Sequence, residues 1–369
     1  MNIRAFITHK LAEHFSDCQD RFCINQNTKS VALADGMSQS YQQKIWADLL
    51  VNSYASKIDF VPNTESIKEL SFEWRNRVVQ YIEELRTKNA PEYLIIMNEN
   101  ALAMHKSAGA TFLGIRFEGN KWTGDVLGDS CLIEIENKQI KRIHTSQQGD
   151  EFDNHPDYFD SEASKEGKGE PVQISGEITP QTSILLVSDP FSDFLNEKMK
   201  EGKDEVYLRE LLAVDSHEKY EDLVANWRNS YGMHNDDSTL IIIEYDGSDD
   251  LHYSHIDDVE SLILKEKQYE ANEQNLAEAA QTVDEVQEIP RESSKDTPKL
   301  IKSDDVATPI SKDELEKTLL ENFCCNETSQ KGKKNPKGKK RNGRNGIDIK
   351  NIIRKFVKFV CEQYNITKK

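Results

Sequence analysis

Between Ala110 and Ile143 the chain lays down four β-type runs separated only by tight turns, and this stretch limits the fold more than any other. Ala110–Phe117 reads as a strand, Glu118-Gly119-Asn120 as its turn, and Lys121–Leu127 as the returning partner. Gly128-Asp129-Ser130 interrupts the pattern, Cys131–Ile135 resumes it, and Glu136-Asn137-Lys138 turns the chain into Gln139–Ile143. Strands joined by such short turns pair antiparallel, because a parallel neighbour needs a crossover of about a dozen residues. The pattern argues for antiparallel sheets and against a doubly wound βαβ arrangement.

Other strands are expected at Ile3–Lys10, Arg21–Asn25, Val31–Ala34, Thr182–Val187 and Thr239–Ile243. Apolar residues at helical spacing (Ile45, Leu49, Leu50, Tyr54) predict a helix over Tyr41–Ile58. A second begins near Thr64 with a Ser66–Glu69 capping box and presents Leu70, Trp74, Val78, Tyr81, Ile82 and Leu85 on one side. Pro91 opens a third through about Lys106, and three more are expected at 191–200, 204–214 and 217–230. These stripes are core faces. Residues 146–180 read as a polar loop, and the globular part closes near Tyr245.

Charge divides the rest. The net formal charge is −16 over residues 1–245, −14 over 246–330 and +12 over 331–369. Residues 247–310, poor in aromatics, are expected as a mostly disordered acidic linker. A short helix follows from Ser311 to about Phe323, then a basic flexible stretch to 346. Within the terminal segment 347–369, Ile349, Ile352, Ile353, Phe356, Val357, Val360 and Tyr364 share one face of an amphipathic helix whose other side carries Lys350, Arg354, Lys355 and Lys358. That helix suits a partner protein's groove, an anionic surface or the chain's own acidic parts. An acidic body is not built for specific nucleic-acid binding. No stretch is apolar enough to span a bilayer, the N-terminus lacks a signal-peptide core, and six scattered cysteines hold no Cys-x-x-Cys pair, so a reducing cytoplasm is the expected compartment.

Aspartates mark the strand boundaries. Val31–Ala34 ends in Asp35-Gly36, Thr182–Val187 in Ser188-Asp189, and Asp236-Asp237 precedes Thr239–Ile243. An Asp-Gly pair alone is an ordinary turn signal. Carboxylates that share a small space, however, need cations to offset their repulsion, and oxygen ligands without His or Cys favour Mg²⁺ or Mn²⁺ over zinc.

Taken in order, Cys18-Gln19-Asp20, Ala34-Asp35-Gly36-Met37, Gly109-Ala110-Thr111, Leu127-Gly128-Asp129-Ser130, Val187-Ser188-Asp189 and Asp236-Asp237-Ser238-Thr239 resemble the motif series of type-2C, metal-dependent (PPM) serine/threonine protein phosphatases of the bacterial kind. The resemblance implies an α+β fold over 1–246, a four-layer αββα sandwich of two antiparallel β-sheets flanked by helices, with a largely disordered C-terminal tail. It implies two Mn²⁺ or Mg²⁺ ions. Asp35 would bridge both, the Gly36 carbonyl would bind one, and Asp189 and Asp236 would hold the other. Asp20 would hold coordinated water, and Asp129 is the candidate for a weaker third ion. The attacking group would be a water bridging the two ions, so Asp35 and Asp20 are the candidate catalytic residues and no covalent phosphoenzyme forms. The implied function is hydrolysis of phosphoserine or phosphothreonine on a phosphorylated protein, opposite a cognate kinase.

This chain departs from the pattern. Pro190 stands where glycine usually follows the Ser-Asp pair, Asp237 where asparagine is usual, Ser38-Gln39 in place of a second glycine, and Phe15 at the usual arginine. Met37 replaces the histidine of eukaryotic members, as it commonly does in bacterial ones. His9, Lys10 and His14 remain the candidates for binding phosphate. The alternative function is a weak or inactive phosphatase-like regulatory module.

Overall fold

The computed structural model describes residues 1–146, 156–165 and 167–285. In chain order the elements are β1 (Asn2–Thr8), β2 (Arg21–Asn25), β3 (Ser30–Ala34), α1 (Gln43–Ser56), α2 (Thr64–Thr87), α3 (Glu92–Ala103), β4 (Gly109–Ala110), β5 (Phe112–Glu118), β6 (Lys121–Leu127), β7 (Cys131–Glu136), β8 (Gln139–His144), β9 (Phe159–Asp160), β10 (Val172–Glu177), β11 (Thr182–Val187), α4 (Asp189–Lys200), α5 (Asp204–Leu212), α6 (His217–Asn226), β12 (Ser238–Glu244), β13 (His252–Ile256) and α7 (Val259–Glu285). A π-type turn, Trp227–Tyr231, continues α6.

One sheet has the order β13-β1-β12-β11-β7-β8 and the other β10-β6-β5-β3-β2. Their pairings are antiparallel except β1 with β13, which run parallel. Alternate residues of each strand serve different cores. Ile241 and Ile243 of β12 join Val31 and Leu33 of β3 between the sheets. Leu240 and Ile242 turn the other way, toward Phe191, Leu208 and Val224 of α4, α5 and α6. On the second sheet Ala32 and Phe112 meet Trp46, Leu50 and Trp74 of α1 and α2. The result is the expected four-layer αββα sandwich. Because the central strands are covered on both faces, they read as continuous apolar runs.

Several local expectations change. The polar stretch 146–180 contributes β9 and β10, and β10 extends the second sheet along β6. Its alternation is masked by exposure, since only Ile174 of β10 is buried. The cap of α2 is Asn63, not a Ser66–Glu69 box: its side-chain oxygen accepts the N–H groups of Glu65 and Ser66, each at 3.0 Å.

The larger correction concerns the end of the folded unit, which does not close at 246 but continues through β13 into α7. β13 adds to the open edge of β1, and α7 buries Val259 and Leu262 against Ile7, Phe15 and Cys18. The first part of the expected acidic linker is therefore structured. Its polar average hides Val259, Leu262 and Ile263 at helical spacing, and β13 depends on a strand edge some 250 residues away. The helix expected at 311–323, the basic stretch to 346 and the helix within 347–369 lie outside the described residues. Among the described residues, no helix is long and apolar enough to cross a membrane.

Candidate metal centre

Strand register gathers the aspartates at one rim. In the first sheet Thr8 pairs with Ser238, Leu240 with Val187, and Val187 with Cys131. The end of β1, the start of β12, the end of β11 and the start of β7 are thereby level. In the second sheet Arg21 pairs with Ala34, Leu33 with Leu113, and Phe112 with Leu127, which levels the start of β2, the end of β3 and the end of β6. Asp20, Asp35, Asp129, Asp189 and Asp236 each sit one or two residues beyond one of these ends.

Each is held by local chemistry. The Asp35 N–H donates to Thr111 Oγ1 at 3.2 Å, the Thr111 N–H returns to the Asp35 carbonyl at 2.9 Å, and the Thr111 hydroxyl lies 3.0 Å from that of Ser130. Thr111 thus ties the Asp35 turn to the one that presents Asp129. Gly36 forms a bridge to Ala110, and a Cβ on it would come within 3.0 Å of Gln43 and 3.1 Å of the Gln19 carbonyl. Gly128 has φ +106°, a left-handed turn that lets the chain cross from one sheet to the other before Asp129. Asp189 is the first residue of α4 after the Ser188 N-cap, so Pro190 falls in the first turn, where its missing N–H is not needed. The proline leaves that helix start intact.

Electrostatics show that the carboxylates act on one another. Burial raises the Asp35 carboxyl well above its ordinary range, and the charges of Asp20, Asp189, Asp129 and Asp236 push it further. Asp189 is raised likewise, by burial and then by Asp129, Asp236 and Asp20. Burial pushes Asp20 up to about 7, with Asp237 adding to it, although Thr239 Oγ1 donates to Asp20 Oδ2 at 2.7 Å. Asp129 is pushed to about 6, mainly by burial.

Asp20 Oδ1 and Asp129 Oδ1 are buried without a hydrogen-bond partner. Orphaned oxygens in a desolvated all-oxygen cluster with raised pKa values fit hard divalent cations. The oxygens do not close on one point: among the described residues, the one trio of His, Cys, Asp or Glu ligand atoms lying within 4.8 Å of one another is His14, Glu266 and Glu270, on the surface.

Four further residues enter the site. Lys10 Nζ lies 2.9 Å from Asp236 Oδ1 and 3.1 Å from Ser38 Oγ. Burial lowers its pKa, but the bond to Asp236 and the charges of Asp236 and Asp237 outweigh this, and the net shift is upward. Of His9, Lys10 and His14, Lys10 is the one whose side chain reaches an aspartate of the rim. His9 turns its Nδ1 to the Lys10 carbonyl, and His14 bonds Glu266. Asp237 accepts the Lys10 N–H on Oδ1 at 3.0 Å and the Gln19 N–H on Oδ2 at 2.7 Å, closing both ends of the loop between β1 and β2. Two acceptor oxygens explain aspartate where asparagine was expected. Arg228, in the π-type turn, donates to the His9 and Asp236 carbonyls and to Ser238 Oγ, so it braces the rim. Asp193 stands one turn after Asp189 on α4, its pKa raised by burial, and its charge acts on Asp129 and Asp189. The i, i+4 spacing from Asp189 is the sequence signal that finds it. Lys10, Asp237 and Arg228 carry no comparable pattern. Phe15, at the position of the missing arginine, is buried among Ile7, Cys18, Val259 and Leu262.

No family model matches the sequence, and no curated protein matches it. Solved structures do. The catalytic domain of the serine/threonine protein phosphatase PstP, in complex with two manganese ions, is 17% identical over 66% of this chain and 96% of that chain, with a TM-score of 0.38. A bacterial serine phosphatase is 15% identical over 67% and 98%, with a TM-score of 0.43. PppA, a regulatory component of the T6SS in Pseudomonas aeruginosa, is 16% identical over 66% and 96%, with a TM-score of 0.39. Two thirds of this chain is similar, at low identity, to bacterial PPM-type phosphatases.

Proposed function

We propose that this chain is a metal-dependent phosphoprotein phosphatase that hydrolyses phosphoserine or phosphothreonine on a protein partner, using Mn²⁺ or Mg²⁺. The convergence of Asp20, Asp35, Asp129, Asp189 and Asp236 on one rim, with two buried oxygens unpartnered, carries the reading. When bound, the cations supply a lowered water pKa and neutralise charge on the phosphoryl oxygens. Asp35, the Gly36 carbonyl, Asp189 and Asp236 are the ligands we assign to the pair, with Asp129 and Asp193 for a weaker third ion. Asp20, oriented by the Thr239 hydroxyl, has its Oδ1 free and would accept a hydrogen bond there from water on the ions. Lys10 exchanges Asp236 for a phosphate oxygen of the substrate, a charge-assisted contact at the entrance of the cluster.

The Lys10–Asp236 ion pair also supports a second reading, in which a lysine replaces a cation and the fold serves as a binding module. Hydrolysis of a phosphothreonine peptide with and without millimolar Mn²⁺, beside Asp35→Asn and with calorimetry of Mn²⁺ binding, separates the two. Metal-dependent turnover lost in the variant establishes the enzyme. Absence of both turnover and Mn²⁺ binding establishes the module.

A further inference from the structure

The loop between β1 and β2 carries Lys10 at one end and Gln19-Asp20 at the other, and it is gripped from two sides. On the site side, the N–H groups of Lys10 and Gln19 donate to Asp237, and that of Leu11 to Asn235 Oδ1 at 2.8 Å. On the opposite side lies α7. Its first turns bury Val259 and Leu262, with Ile263 beside them, against Phe15 and Cys18 of the loop. Polar contacts frame this patch: Glu260 lies 3.9 Å from Arg21, Glu266 3.0 Å from His14, and Lys265 2.8 Å from the buried Asp257, whose N–H donates to the Ala5 carbonyl at 3.0 Å. Asp257 also accepts from His255 and faces His217, whose ring packs on Phe15 at 5.9 Å. Over residues 259–272, Val259 and Leu262 are the buried residues of the helix, and Leu264 and Tyr269 are 60% and 65% exposed.

We propose that α7 is a latch: its docked first turns, through Val259, Leu262 and Ile263 on Phe15 and Cys18, position the Gln19-Asp20 end of the loop at the carboxylate cluster, and undocking weakens cation binding there. Elements held by few buried contacts open separately from the core. The loop has apolar support from Ile7 of β1, from Phe22 of β2 and from α7, and the first two belong to paired sheet strands. Val259, Leu262 and Ile263 are therefore positioning residues. The consequence for cation binding rests on the reading under Proposed function, whereas the coupling itself does not.

Native-state hydrogen exchange on the full chain in low guanidinium tests the coupling. The amides of Leu262–Glu266 and those of Lys10, Leu11 and Gln19 are expected to share one opening isotherm, below that of β3 and β12. Separate isotherms, or opening of both groups only with the core, would overturn the latch. Calorimetry then tests the consequence. Val259→Ala/Leu262→Ala is expected to weaken Mn²⁺ binding at least tenfold while the main thermal transition is kept, and Val259→Ala/Leu262→Met to restore most of it. Unchanged affinity with fast-exchanging α7 amides refutes the positioning role. Lys265→Gln, which alters an exposed ammonium, gives a milder chain in which Mn²⁺ affinity must fall in step with α7 protection, and affinity that does not follow protection refutes it too. A wild-type chain that binds no Mn²⁺ sinks the proposed function, while the isotherms still decide the latch.

Discussion

Asp20→Asn should stabilise the metal-free protein, although it removes a residue of the candidate site. Asp20 is fully buried, its carboxyl is pushed up to about 7, and an unfolded aspartate titrates near 3.8. The native state therefore binds more protons between these values, and stability is lost as pH rises from the lower to the upper one. At about 1.4 kcal/mol per pKa unit, the penalty approaches ~4 kcal/mol above pH 7, about 1.5 at pH 5 and under about 1 near pH 4. Asparagine has the same shape, stays neutral and still offers an oxygen to the Thr239 hydroxyl. Repulsion from Asp237 is shared between the two groups, so about 2–3 kcal/mol is the gain expected at pH 7.5. Guanidinium unfolding in EDTA, repeated at pH 4, 5, 6 and 7.5, measures it. With millimolar Mn²⁺ the order should reverse, because the wild type then gains ligand-linked stability that the variant largely lacks. A variant less stable than the wild type at pH 7.5 in EDTA, or a difference that does not vary with pH, refutes the account of the cluster as repelling buried carboxylates.

The neighbouring residues give further tests. Asp237→Ala strands two N–H groups and is expected to lose about 1–3 kcal/mol, less the relief of one buried charge, with fast exchange at Gln19. Lys10→Gln frees Asp236, so Mn²⁺ affinity should hold or rise, while loss of a charge-assisted contact raises KM for a phosphopeptide about tenfold or more; steady-state kinetics beside calorimetry reads both. His217 responds to pH. Burial lowers its pKa, but the carboxylates of Asp257 and Glu221, 3.3 and 3.2 Å from its ring nitrogens, outweigh this and hold it at about 9, against 6.5 when unfolded. Its contribution is complete below pH 6.5 and is lost as pH rises through 9, so exchange protection in α7 should fall across that window. Asp257 shifts the opposite way. Burial raises it, but His217, Lys265 and His255 together hold it below the usual carboxylate range, so acid loosens the same contact only below about pH 4.

Much of the sandwich could be read from local pattern, because turn chemistry and strand alternation act over a few residues. The hairpins from Ala110 to Ile143, the helix stripes around Trp74 and Val78, and the turn residues at Asp35-Gly36 and Gly128-Asp129 all belong to that class. So did the chemical character of the site: a set of aspartates without histidine or cysteine nearby already implied oxygen ligation by hard cations. Other features depend on residues far apart in the chain. Register alone brings Asp20, Asp35, Asp129, Asp189 and Asp236 to one rim, and burial there raises the pKa values of Asp20, Asp35, Asp129 and Asp189. Asp237 departs from the expected asparagine, and the reason is two amides, one at each end of a loop more than 200 residues earlier, that donate to its oxygens. Phe15 read as a lost arginine and serves as the seat for α7. The segment after Tyr245 does not read as folded, because its order is supplied by partners, the free edge of β1 and the apolar face of the Phe15 loop. An amphipathic or edge segment gains its stability from the surface it covers, and that surface exists only once the sandwich has closed.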